Sequence, residues 1–186
     1  TASNNTAVGF QSLENNTTGG NNVALGSRAL EANTTASSNT AVGYQAGYAN
    51  TTGANSTLLG YQAGYSNTTN ASNTYLGYRT GFNSNGADHN VGVGTNALLT
   101  ATSGQYNTAV GSASLYYTTT GDSNTALGRL ALHNNTTASN NTAVGYQAGY
   151  ANTTGTNNTF FGSLAGDATD DGAGNTAVGA GALGAN

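Results

Sequence analysis

The side chains best suited to proton transfer or metal ligation are His89, His133 and the acidic cluster Asp167, Asp170 and Asp171. The two histidines fall at different places in the repeat described below. Neither therefore has a registered partner for a metal ion or a catalytic triad, and each reads as a lone turn histidine. The aspartates stand just before Gly172 and form the chain's one candidate cation turn. They lack the alternation of oxygen ligands and the terminal Glu of a calcium loop, so a solvated acidic corner is the expectation. No G-x-S-x-G, H-E-x-x-H or phosphate-binding loop is present. The chain does not read as an enzyme, and no cofactor is expected.

The frame that positions these groups is a repeat. Asn39 to Gly53 reads N-T-A-V-G-Y-Q-A-G-Y-A-N-T-T-G and returns unchanged at Asn141 to Gly155. The offset is 102 residues (141 minus 39), or six periods of 17. The glycine after the Val or Leu keeps that period at Gly9, Gly26, Gly43, Gly60, Gly77, Gly94, Gly111, Gly128, Gly145, Gly162 and Gly179. A fixed short period without helical patterning specifies stacked coils that bury one another. The expected fold is all-β: a parallel β-solenoid of eleven 17-residue coils with two short strands per coil. Residues 1–186 form a single array, a rod roughly 50 Å long at the spacing of stacked strands. Thr1 and Asn186 fall inside the turn pattern, so both ends are in phase to continue and the chain reads as a segment of a longer fibre.

Composition narrows the class. The 186 residues include 28 Gly and no Pro, Cys, Met or Trp, and only 5% are charged, against about a quarter in globular domains. Periodic apolar positions and a net charge of only -4 argue against disorder. Three arginines and no lysine cannot build the basic stripe that nucleic acid requires. No apolar run is long enough to span a bilayer, so no membrane span is expected.

Each column of the repeat has a reading. Asn stands four residues before the repeat glycine in ten coils: Asn5, Asn22, Asn39, Asn73, Asn90, Asn107, Asn124, Asn141, Asn158 and Asn175. Stacked at one spacing, these side chains are expected to form a hydrogen-bonded corner ladder. Next comes a Thr or Val column, as at Thr40, and two residues on a Val, Leu or Phe column, as at Val42. Alternate strand residues share a face, so these two columns are expected to form the core. The Ala between them and the glycine beside them would then face outward, a small-residue ladder that invites close approach of another backbone. Leu58, Tyr75 and Phe160 would need pockets in that partner. Further on, either Leu or Gly followed by an aromatic, as in Gly47-Tyr48, is expected to fill one core slot. Gly166-Asp167 fills it by neither route, which predicts a defect or wet spot in the tenth coil.

Each coil closes through N-T-T-G and its relatives, where Gly is expected to supply a positive φ angle. The N-x-T acceptor pattern of N-glycosylation recurs there because the turn recurs. An ice-binding face would want T-x-T; the paired threonines, such as Thr51-Thr52, point to opposite sides instead.

The recurring N-T-A-V-G, N-V-A-L-G and N-T-A-L-G resemble the head repeats of trimeric autotransporter adhesins of the YadA type. The resemblance implies a left-handed parallel β-roll, three chains side by side, and an extracellular or cell-surface fibre that attaches to host or matrix surfaces. Similar repeats occur in phage tail fibres, so a virion fibre shaft is an alternative, as is an ice- or glycan-binding solenoid. The expected assembly is a parallel homotrimer with Ala41, Gly43, Ala143 and Gly145 at or near the axis. On that reading, Glu at positions 41 and 143 dissociates the trimer or prevents folding.

Overall fold

In the computed structural model, which describes residues 2–184, the chain winds into stacked coils that each repeat the path of the one before. The phase of Thr1 and Asn186 lies outside the described residues. Each coil contributes a single three-residue strand, from β1 (Thr6–Val8) to β11 (Thr176–Val178). The eleven strands form one parallel sheet in sequence order. Every strand residue sits opposite the residue 17 later, as Thr6 to Val23, Ala7 to Ala24 and Val8 to Leu25. No described residue is helical, and no helix is long and apolar enough to cross a membrane.

The second strand expected in each coil is absent, and the backbone explains why. Four positions per coil take positive φ; in the third coil they are Ser38 (60°), Gly43 (135°), Gln45 (54°) and Gly47 (62°). Three of them fall between Gly43 and Gly47 and break the chain just after the strand, and residues 48–54, which carry no positive φ, run through turns and bends rather than as a strand. The bent segments are nonetheless paired from coil to coil: the Gly47 N–H donates to the Ala63 carbonyl at 2.9 Å, and the Thr51 N–H to the Thr68 carbonyl at 2.8 Å. Main-chain groups that would otherwise be orphaned inside the coil are thus satisfied by the stack.

The facing of the strands is the reverse of the expectation. Ala41 is fully buried, Thr40 on one side of it is exposed, and Val42 on the other is half-exposed. The same holds for Ala24, Ala109, Ala126 and Ala143, all fully buried. Alternation was correctly read, but its sign was not. In coils such as the second, seventh and eighth the interior is already occupied by a buried Leu from across the coil, so Ala takes the inner strand position and the branched residues go outside. Ala41 and Ala143 therefore belong to the core of their own coils and present no side chain to a partner.

Leu58, Tyr75 and Phe160, which interrupt the Ala column, also point inward and are fully buried. Glycines on the far side of the coil make room for them. A Cβ on Gly64 would come within 2.8 Å of Leu58, one on Gly149 within 2.6 Å of Phe160, and one on Gly81 would strike the Tyr75 ring. Where the inner strand residue is Ala, the same column carries a Leu, buried at Leu30, Leu115 and Leu132, except beside Ala41 and Ala143, where Gly47 and Gly149 yield their space to Leu58 and Phe160 of the next coil. The trade-off is between Gly or Leu and the strand residue across the core. The aromatics that follow the glycines do not fill the slot; they lie half-buried on the surface. Gly166 accordingly leaves no hole, because the Phe160 ring occupies its space.

Candidate functional site

Two Asn columns build the corners from which the outer faces hang. In the first, each main-chain N–H donates to the side-chain oxygen of the residue 17 earlier, unbroken from Asn22 to Asn175, at 2.7 to 3.2 Å. Ser56 accepts through its hydroxyl where Asn is missing. The amide nitrogen then donates to a carbonyl 14 residues ahead, as Asn141 Nδ2 to Gly155 at 2.8 Å. The ladder thus runs through the main chain, with few direct bonds between amides.

A second column went unread in the sequence because it hides within N-T-T-G. Asn33, Asn50, Asn135 and Asn152 are fully buried. Asn33 Nδ2 donates to Asn16 Oδ1 at 2.9 Å and Asn152 Nδ2 to Asn135 Oδ1 at 3.1 Å. The burial of these amides closes them to glycan attachment in the folded chain. The first Thr of each pair is engaged too: Thr34 Oγ1 donates to the Thr51 carbonyl at 3.0 Å, and Thr51 Oγ1 to the Thr68 carbonyl at 3.0 Å. In this turn the left-handed residue is Asn55 (φ 60°), two places past Gly53. The glycine is there because a Cβ would run into the Asn70 carbonyl of the next coil. Gly43 behaves similarly: its Cβ would strike Gly60 of the next coil, so Gly43 and Gly145 hold the stack of one chain together.

The outer strand face is one continuous, uncharged surface. One column is Thr, replaced by Val at Val23 and Val91; the parallel column is Val8, Leu25, Val42, Leu59, Leu76, Val93, Val110, Leu127, Val144, Phe161 and Val178. Val8, Leu25, Leu59, Leu127, Phe161 and Val178 are all among the exposed large apolar residues.

Aromatic ladders occupy other faces. Tyr44, Tyr61 and Tyr78 stack with ring centroids 5.3 Å apart, and Tyr48, Tyr65 and Phe82 at 5.1 and 5.0 Å. Beside the first stack, Gln62 Nε2 donates to Gln45 Oε1 at 2.9 Å. The Arg79 guanidinium lies 4.0 Å from the Phe82 ring centroid.

His133 lies in such a ladder, between Tyr116 and Tyr150 at 5.2 Å from each, and His89 stacks on Tyr106 at 5.2 Å. The structure does not bring them together. Nor do Asp167, Asp170 and Asp171 converge: among the described residues no group of three metal-ligating side chains is formed. Asp170 Oδ1 instead accepts from Thr153 Oγ1 at 2.5 Å, continuing the Thr column. Among the described residues Asp167 Oδ1 is buried without a hydrogen-bond partner, but so are side-chain atoms of Glu31, Asn67, Arg79, Asn96 and Thr118, so the tenth coil is not set apart by it. No pocket opens among the described residues.

No family model, curated protein or solved structure compared with the chain matches it. Among the surface columns the Thr and Val face is the most regular, running through all eleven strands, and aliphatic groups on it are left uncovered.

Proposed function

We propose that the chain is a structural and adhesive segment of an extracellular or virion fibre, built from three parallel copies packed through their Thr and Val faces. The observation that carries this reading is the apolar column from Val8 to Val178, exposed or half-exposed in every coil of a regular eleven-stranded sheet. Contiguous exposed apolar surface of this extent marks an interaction site. A partner must repeat its contacts at every coil, and a second copy in axial register does so by construction. Closed cyclic symmetry then covers all three faces and leaves none exposed. Val42, Leu59, Leu127 and Val144 lie at the interface on this reading, in place of Ala41 and Ala143. The aromatic ladders remain outside, as the surfaces that meet a host, matrix or glycan ligand.

Light scattering on the purified chain tests the assembly. A mass of three chains supports it, and a folded single chain overturns it.

A second reading has its own observation. The strand threonines, such as Thr40, Thr57 and Thr142, are exposed beside the methyl-rich column on the same uncharged face. Hydroxyls and methyls at one repeated spacing are what an ice-binding surface offers, here as T-x-V. Thermal hysteresis from a single-chain species would favour this reading over the trimer, since the two compete for one face.

A further inference from the structure

Tyr44, Tyr61 and Tyr78 are consecutive members of one surface column, a coil apart. Their rings stack at 5.3 Å with interplanar angles of 21° and 10°. Each residue is between 43% and 47% exposed. The Tyr61 ring is stacked on both faces, so its exposure falls on the ring edge, where the carbons ortho to the hydroxyl lie, while Tyr44 and Tyr78 are each covered by the stack on one face. The other stacks differ. Phe82 ends the column of Tyr48 and Tyr65, which are half-buried, and His133 separates Tyr116 from Tyr150.

We propose that Tyr44, Tyr61 and Tyr78 form an oxidative cross-linking site, at which a peroxidase-type one-electron oxidant links neighbouring coils covalently. Each phenol gives up one electron and one proton, and the resulting radical places spin on its ortho carbons. Two neighbouring radicals join ortho carbon to ortho carbon, and each ring regains aromaticity as its ortho hydrogen moves to its oxygen. Per link, two electrons and two protons leave the tyrosines, and one hydrogen peroxide takes them up to give two waters. Tyr61 has two ortho carbons and a tyrosine on either side, so it can bond to both. Stacking supplies the high effective concentration that makes coupling within the chain outrun coupling between chains. The product is a covalent staple across the third to fifth coils, suited to a rod that bears load outside the cell.

The test treats the folded chain with hydrogen peroxide and a peroxidase. Elastase then cuts after the alanines between the tyrosines, such as Ala49, Ala54 and Ala71, and the linked peptides are mapped by tandem mass spectrometry. Linked peptides joining Tyr44 to Tyr61 and Tyr61 to Tyr78, each lighter by two hydrogens, are expected at a yield at least about tenfold above that of the urea-unfolded chain. Tyr61→Phe keeps the stack and removes both links. The proposal is overturned if folded and unfolded chains give equal yields, if the links join separate chains or only Tyr48 and Tyr65, or if Tyr61→Phe leaves the dityrosine content unchanged.

Discussion

Asn39 and Asn50, at opposite ends of one coil's path, donate their side-chain amides to the same acceptor, the Gly53 carbonyl, at 2.9 Å each. Asn141 and Asn152 do the same at Gly155, at 2.8 and 3.0 Å. The turn is therefore clamped from two corners, and each amide also reaches a neighbouring coil. Asn39→Ala and Asn50→Ala should each cost about 1 to 3 kcal/mol, the penalty of leaving buried groups unpaired. The double variant should cost less than the sum, since both lose one shared acceptor. Urea titrations followed by circular dichroism measure all three.

The Gly and strand-residue trade-off can be reversed by design. Phe160→Ala should destabilise the tenth coil by about 3 to 5 kcal/mol, as expected for a buried ring removed from a packed core. Adding Gly166→Leu recreates the pairing of Ala126 with Leu132 two coils earlier, where Leu132 already takes a φ of 48°. The double variant should recover part of the loss. Gly166→Leu alone, driven into the Phe160 ring, should be the worst of the three in thermal denaturation.

Alkaline stability should depend on Tyr75. Burial pushes its hydroxyl from the ordinary 10.0 up to about 12, despite a 2.8 Å hydrogen bond to Ser84. The folded chain holds this proton more tightly than the unfolded one. Its contribution is thus whole below pH 10 and is lost as the pH rises from 10 toward 12. The loss is on the order of 2 to 3 kcal/mol. Tyr75→Phe should be less stable near neutrality, because Ser84 loses its partner, yet should lose less between pH 9 and 12. Denaturation midpoints of both chains across that range compare the slopes.

The period, the parallel stacking in register and the all-β class were legible in the sequence, because an undisturbed 17-residue repeat leaves stacking as the only way to bury its columns. The facing of the strand was not. Val42 is more hydrophobic than Ala41, and hydrophobicity alone assigns it to the core; what decides the matter is the room that side chains across the coil leave, which no single column reveals. The fit between Gly149 and Phe160 joins positions 11 residues apart in neighbouring coils, and it becomes visible only when two columns are compared together. Asn50 stands between Ala and Thr-Thr-Gly, a setting that reads as turn chemistry, although its period matches that of Asn39. Tyr44, Tyr61 and Tyr78 carry the same signal, a shared period of 17.

Charge placed on either side of the strand separates the two facings. Ala41→Glu with Ala143→Glu puts carboxylates into the coil interior and should unfold the array, giving no folded subunit. Val42→Glu with Val144→Glu puts them outside, where a single folded chain can carry them. Circular dichroism of the two double variants should show strand signal in the second only.

Whether the Thr and Val face joins copies of the chain, as proposed, is read out by light scattering after size exclusion. The native chain should elute at the mass of three copies, and Val42→Glu with Val144→Glu should elute as one folded chain. A native chain that is folded and single, or a variant that remains three copies, would contradict the account.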